Sequence, residues 1–399
     1  MSSQFSDQEV LEFLKDHSYD ETMIQFGISR MTISRIKKRN EPVPKAERMS
    51  EKIPIAIVGI GNAASALIQG IEYYKDRQNR SGILRPTLAG YHISDIEVVA
   101  AFDISAKKVG KSFANALKEN DYPVCVELTN HADLVVLMGN PQDGVIEETR
   151  DIINPAKDTP VDVCKELRES GAEIVLCLLP SGADKATQFY ADQAVLAGCA
   201  FINATPTKLA TNPNYARKFQ LAGLPLVGDD LQDQYGATIL HKMILQQMLD
   251  RGVDIKESYA LDVGGGTESL NTLFRSKDVK RTIKSMSVAS ALNVDAPIVA
   301  GTSDYVPHMG NSRNSMLWIV GRGFLGSEIV IDIKIQSEDG PNGGSVLADV
   351  IRATKVALNQ GAAGPIDAIS AYGFKNPPNT RKNPAEASLA LANFILGVK

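Results

Sequence analysis

Residues 59–64 read Gly59-Ile60-Gly61-Asn62-Ala63-Ala64, between the β-branched run "IPIAIV" and the amphipathic stretch "SALIQGIEYY". This is a G-x-G-x-x-A loop opening a helix. Gly59 permits the tight turn, Gly61 lets backbone amides approach a pyrophosphate, and Ala64 is small enough for close helix packing. The helix that starts at Asn62 and Ala63 presents a partial positive charge to phosphates. A glycine turn in any α/β protein mimics the pattern, so the loop alone is a weak signal. Asp103, ending "IEVVAAFD", adds weight. A carboxylate there hydrogen-bonds ribose hydroxyls and repels a 2′-phosphate, which predicts NAD rather than NADP as cofactor. Asp103 lies farther on than the usual spacing of about 20 residues. The stretch "DRQNRSGILRPTLAGYHISD" is therefore read as an insertion before the second strand.

A second group with chemical potential is Lys280 and Lys284, four apart in "DVKRTIKSMS" and so on one helix face. By spacing alone such a pair is a solvated face. His241, on an otherwise apolar helix, is expected in the core. Met316, Leu317 and Trp318 are expected to be sheet core. The four cysteines, Cys125, Cys164, Cys177 and Cys199, lie far apart with no C-x-x-C spacing. They predict reduced thiols and no zinc site, and no metal-ligand set is read elsewhere.

Positioning these groups requires a sizeable frame. The chain has 399 residues, 44% of them hydrophobic and 22% charged, enough for more than one domain. A net charge of −5 argues against a general polyanion binder. No apolar run reaches membrane-spanning length and the N-terminus is polar, which predicts a soluble cytoplasmic protein. From residue 53 onward, apolar runs ("IAIVG", "IEVVAAFD", "LVVLMG", "EIVLCLLP", "CAFINAT", "LPLVGDD") alternate with helical stretches such as 63–75 and 183–197. That alternation predicts an α/β fold with a parallel sheet covered on both faces. After about residue 240, "MLWIVGRGF" and "SEIVIDIKIQSED" alternate like strands of a one-sided sheet. A long helix in "GSVLADVIRATKVALNQG" and a Pro-rich tail follow.

Residues 1–40 stand apart as an all-α arm. "YDETMIQFGISRMTISRIKKRN" places a Gly-containing turn between two helical stretches, the second basic, which is a helix-turn-helix pattern. Six basic and six acidic residues leave the arm neutral. Both DNA contact and a docking or oligomer contact stay open. Residues 41–50, "EPVPKAERMS", read as a linker.

"GIGNAASALIQGIEYY", "LAGYHISDIEVVAAFDI", "AGLPLVGDDLQDQYGATILHKM", "LDVGGGTESLN", "SDYVPHMGNSR" and "AYGFKNPP" occur in this order. Over residues 51–380 the chain closely resembles the myo-inositol-1-phosphate synthase family, particularly its shorter archaeal and bacterial members. The resemblance implies a Rossmann-like NAD-binding domain from residues 51–238 and 345–399. An α+β catalytic and tetramerisation domain, residues 239–344, is inserted in it. It also implies conversion of glucose 6-phosphate to 1D-myo-inositol 3-phosphate by a borrowed hydride. Oxidation at C5 acidifies the C6 protons, the enolate attacks C1, and the hydride returns.

In that family's pattern Lys280 and Lys284 match paired active-site lysines, and Lys375 in "AYGFKNPP" matches a third. Asp230 of "GDD" and Asp339 of "EDGPNGG" match acids near cofactor and substrate. The resemblance further places Asn203 and Thr205 of "NATP", and Pro180 and Ser181 of "LLPSG", against the cofactor.

The chain departs from the family at several pocket motifs. Arg313 stands where "YVPxLGDxK" usually carries lysine; a guanidinium holds an oxyanion but shuttles no proton. His308 and Asn311 fall in the same motif. The usual "GGNTDFLN" is "GGGTESLN", so Gly266 removes an amide, Glu268 lengthens an acid, and Ser269 removes a large side chain. Gln232 and Asp233 replace a common lysine and serine. Four readings stay open: the ordinary synthase, a related enzyme acting on another sugar phosphate or ring size, a DNA-binding regulator with a synthase-like sensor body, and a simple dehydrogenase that releases NADH in stoichiometric amounts.

Overall fold

The computed structural model describes residues 10, 12–14, 17–26, 33, 52–76, 80–120, 122–128, 133–292, 295–379 and 382–397. The chain forms two compact units, residues 1–50 and 51–399. In the first, helix α1 spans Tyr19–Phe26. Its Ser18 amide and hydroxyl both donate to Glu21, a reciprocal cap at the helix start. The helix-turn-helix expectation rests on residues 27–40 and the linker on 41–50; apart from Ile33 these lie outside the described residues.

The second unit is α/β. Its larger sheet, among the described residues, has seven parallel strands. They are β1 (Ile53–Val58), β2 (Ile96–Asp103), β3 (Leu137–Met138), β4 (Ile174–Cys177), β5 (Ala200–Asn203), β6 (Pro225–Val227) and β11 (Gly364–Pro365). Their order is β11-β6-β5-β4-β1-β2-β3. The direction of the chain's build reverses beside β1, so the ends of β1, β2 and β4 open a crevice of the kind that binds nucleotides. Helices α2 (Asn62–Tyr73) and α3 (Asp184–Ala197) follow β1 and β4. β1, β4 and β5 are buried almost throughout, as near-continuous apolar runs require when helices cover both faces.

The long C-terminal helix α6 spans Asp339–Asn359 and begins five residues before the stretch expected from its hydrophobic pattern. Pro341 sits in its first turn, where the missing N–H costs nothing. A Cβ on Gly344 would sit 3.1 Å from the Leu67 nitrogen, so the glycines before the apolar stretch let α6 lie directly on α2. The inserted stretch after α2 packs back on α6. Arg85 donates to Asp349 at 2.9 Å and to Ser388 at 2.8 Å, and Arg352, fully buried, bonds Asp349 at 2.6 Å.

The smaller sheet has order β8-β7-β9-β10: β8 (Ile298–Tyr305), β7 (Asp254–Gly264), β9 (Ser312–Arg322) and β10 (Glu328–Glu338). One face packs on α4 (Ala237–Asp250) and α5 (Lys277–Leu292) through Leu245, Ile255, Val288 and Ile319. The other is open. Leu317 lies in the core as expected, but Met316 is 47% exposed and Trp318 stacks on Tyr259 of the neighbouring strand on the open face. Strand alternation puts Met316 and Trp318 on the side opposite Leu317. No helix among the described residues is long and apolar enough to cross a membrane.

Candidate active site

A cleft of about 410 Å³ runs from the β1–α2 loop to the ends of β7 and β9. At one end Gly59 adopts φ +90°, and a Cβ there would meet the Leu178 carbonyl at 2.8 Å. Only glycine combines that backbone with that crowding. Gly61 caps α2 without any side-chain hydrogen bond, and a Cβ on it would point into open space. The first amides of α2 therefore face the cleft, as a pyrophosphate requires. Asn62, Ala63 and Ala64 line the same wall.

Asp103 reaches this loop from the end of β2. Its Oδ2 accepts the Ile60 amide at 2.9 Å, and its Oδ1 accepts the Ile104 and Ser105 amides at 2.8 and 2.9 Å. Lys108, which sequence reasoning missed, donates to the Ile60 carbonyl at 2.6 Å and lies 3.8 Å from Asp103. Asp103 thus shapes the glycine loop and leaves capacity on Oδ2 for one ribose hydroxyl. Pro180, Ser181 and Thr205 line the opposite wall.

Asn203 does not line the cleft. The position expected against the cofactor is fully buried, with its amide donating to Asp229 at 2.7 Å and to the Thr207 carbonyl at 2.6 Å. Its carbonyl oxygen accepts the Thr205 hydroxyl at 2.8 Å. With every polar group of Asn203 engaged, it acts behind the wall by fixing Thr205.

The other end of the cleft gathers charge. Asp230, in a left-handed turn with φ +64° after β6, accepts from Lys280 at 2.9 Å and lies 3.7 Å from Lys375. Burial pushes the Asp230 carboxyl up, but the two ammoniums outweigh it and hold it below the usual carboxylate range. Burial also works against the charge on Lys280; Asp230 and Glu268, the latter 3.3 Å away, reverse this and hold it above the usual lysine value. Lys375 goes the other way. Burial outweighs Asp230 and, with Lys280 nearby, pushes its ammonium below the usual range. Arg313 pairs with Asp339 at 2.7 Å. Burial raises the Asp339 carboxyl despite that pairing.

Lys284 does not line the cleft either. It is buried against Asp262, whose other oxygen accepts the Ser315 hydroxyl at 2.6 Å. Burial acts to raise the Asp262 carboxyl, yet Lys284 and Arg313 hold it at about 2. One helical turn separates Lys280 from Lys284; the first meets Asp230 at the turn after β6, the second Asp262 on the interior strand β7. Lys280 therefore reaches the cleft, while Lys284 holds the sheet to α5.

A π-helical turn, Thr272–Ser276, precedes α5. In a straight helix Glu268 and Lys280 would stand about 18 Å apart along the axis, beyond the reach of their side chains. Their contact shows that the helix turns at the π segment. Arg275 on that segment donates to the Asp143 carbonyl at 2.5 Å and to the Gly182 carbonyl.

Five buried polar atoms of cleft-lining residues have no hydrogen-bond partner: Asp230 Oδ2, Asn271 Oδ1, Asn311 Nδ2, Arg313 Nε and Asp339 Oδ1. Three acceptors and two donors along one cleft suit a ligand with hydroxyls and an oxyanion, because leaving them unmet is costly.

The sequence profile of the family described as Myo-inositol-1-phosphate synthase matches residues 236–340. The inositol-3-phosphate synthase of Mycolicibacterium smegmatis is 36% identical over 359 residues, 87% of this chain and 98% of that protein. The chain belongs to the myo-inositol-1-phosphate synthase family. The inositol-3-phosphate synthase of Corynebacterium glutamicum is 35% identical over 340 residues, 82% of this chain and 93% of that protein. Among solved structures, one described as Ari2 is 32% identical with a TM-score of 0.70, covering 87% of this chain and 99% of that chain. A myo-inositol-1-phosphate synthase-related protein from Thermotoga maritima has a TM-score of 0.72 at 22% identity, over 88% of this chain and 99% of that one. At that identity the likeness shows the shared Rossmann-like fold alone.

Proposed function

We propose that this chain is an NAD-dependent isomerase, an intramolecular lyase, that converts glucose 6-phosphate to 1D-myo-inositol 3-phosphate. The observation that carries the reading is the meeting of Lys280, Lys375 and Arg313 with five unmet buried polar atoms in the cleft that the glycine loop opens. Gly59, Gly61, Asn62 and Asp103 would hold NAD, which supplies a hydride acceptor for C5 of the sugar and returns the hydride.

The protein's own groups carry the remaining work. Lys280, kept charged between Asp230 and Glu268, stabilises the oxyanion that develops at C5 as a C6 proton leaves. Lys375, whose ammonium burial and the neighbouring Lys280 push below the usual lysine range, is the group suited to take and return a proton. Arg313 and Asn311 donate to the substrate, and Asp230 and Asp339 accept from its hydroxyls. Incubation with NAD and glucose 6-phosphate, with the product identified by NMR, tests the reading. A cyclitol phosphate formed without net NADH supports it; the absence of any cyclitol phosphate overturns it.

A second reading keeps the chemistry and changes the substrate to another sugar phosphate or ring size. It is favoured by Arg313, which stands in place of lysine and is tied to Asp339. In either case we place the enzyme in the cytoplasm as a homotetramer. The open face of the smaller sheet, with Tyr259, Leu261, Met316 and Val330 between 38% and 52% exposed, is the apolar surface such an assembly would cover.

A further inference from the structure

Glu268 stands where the family pattern has the shorter aspartate, and its side chain is 41% exposed. A carboxylate so open to water needs no protein partners, yet Glu268 has four groups on it, the Thr272 hydroxyl at 3.4 Å among them. Its Oε2 accepts the Ser181 amide at 3.0 Å. Its Oε1 accepts the Ser181 hydroxyl and lies 3.3 Å from the Lys280 ammonium. Aspartate at this position is one methylene too short to span Ser181 and Lys280 together.

The far end of this link is held firmly. Ser181 precedes Gly182, which adopts φ +83°, and the Gly182 carbonyl is bound by Arg275 from the π turn. A Cβ on Gly182 would lie 2.6 Å from the Arg275 side chain, so the loop and the π turn pack without slack. Ser181 itself is 1% exposed and lines the cleft wall opposite the glycine loop. The groups form one chain: Asp230, Lys280, Glu268, Ser181 and then the cofactor wall.

We propose that Glu268 is a positioning residue that ties the charge of Lys280 to the cofactor wall through Ser181. Occupancy of the wall by the dinucleotide turns the Ser181 hydroxyl, and Glu268 passes that change to Lys280. The lysine is thereby set for the sugar only when the cofactor is in place. This rests on the cofactor reading above, and deepens it.

The test uses protein labelled with ¹⁵N at the lysine Nζ, its Lys280 signal assigned with Lys280→Arg and followed against pH with and without NAD. In the cofactor-free wild type Lys280 stays charged to high pH. In Glu268→Gln its titration falls by about one pH unit, because one of two opposite charges is gone. Adding NAD perturbs the Lys280 signal in the wild type and leaves it nearly unmoved in Glu268→Gln and Ser181→Ala. Equal titrations and equal NAD responses in wild type and Glu268→Gln would overturn the proposal. Failure of the cofactor reading is separate: it shows as no NAD binding by the wild type, while the cofactor-free titration still tests the Glu268–Lys280 pair.

Discussion

Lys280 donates a 2.9 Å hydrogen bond to Asp230, fifty residues earlier in the chain, and so joins helix α5 to the turn after β6. Lys284, one turn farther along α5, instead pairs with Asp262 of β7 behind the cleft. Two lysines that share a face by spacing therefore have different work, and their substitutions separate. Lys280→Ala should lower cyclitol formation about a hundred- to thousandfold, the usual cost of one preorganised electrostatic contact. NAD binding, measured by titration, should stay intact.

Lys284→Ala should first reduce stability. It leaves Asp262 buried without its closest cation, a loss of about 3–5 kcal/mol. Thermal unfolding should show a marked drop in Tm, and Asp262→Asn added to Lys284→Met should recover much of it. An unchanged Tm in Lys284→Ala would return Lys284 to the solvated-face reading.

For the cofactor, Asp103→Ala should weaken NAD binding at least tenfold and narrow its advantage over NADP. The substitution removes a charged acceptor worth about 1.5–3 kcal/mol and frees the three amides that shape the glycine loop. Titrations with both dinucleotides decide it, and an unaltered NAD affinity would remove Asp103 from the site.

Much of this was legible in the chain. The glycine loop, the alternation of apolar runs and helices, and the ordered motifs lead to the parallel sheet covered on both faces and to the loop end of the cleft. Three features were not legible, each because it depends on a partner distant in sequence. Asn203 and Thr205 both sit at the end of "FINAT", but only the structure shows the buried Asp229 that turns Asn203 inward. Asp262 occupies an ordinary inward strand position, and nothing local reveals that Lys284 faces it. Trp318 and Leu317 look alike by hydrophobicity, and only sheet pairing decides which of them faces the core.

Arg313 holds Asp339 through one nitrogen and leaves Nε unmet in the cleft. Lysine keeps the ion pair and loses the second donor. Arg313→Lys should therefore retain kcat within a few-fold and raise KM for the sugar phosphate about tenfold, as loss of one charged hydrogen bond would. A gain of activity on glucose 6-phosphate, or a changed product, would instead show that the arginine marks a different natural substrate.

His241 gives a pH dependence unrelated to catalysis. It is fully buried, its Nε2 lies 2.6 Å from the Ser258 hydroxyl, and burial pushes it down to about 4. In the unfolded chain a histidine titrates near 6.5. The native state thus binds a proton less readily, and stability is lost as pH falls from about 6.5 toward 4, by up to about 3 kcal/mol. Tm should fall between pH 7 and pH 5, and His241→Gln should flatten that slope. An equally steep slope in the variant would place the acid sensitivity elsewhere.

The most direct measurement follows deuterium from [5-²H]glucose 6-phosphate through one turnover with NAD. A hydride removed and returned within one closed site predicts a cyclitol phosphate that keeps the deuterium at the carbon derived from C5, with no NADH released in proportion to product. Loss of the label to solvent or to free NADH, or an oxidised sugar phosphate with no ring formed, would contradict the account.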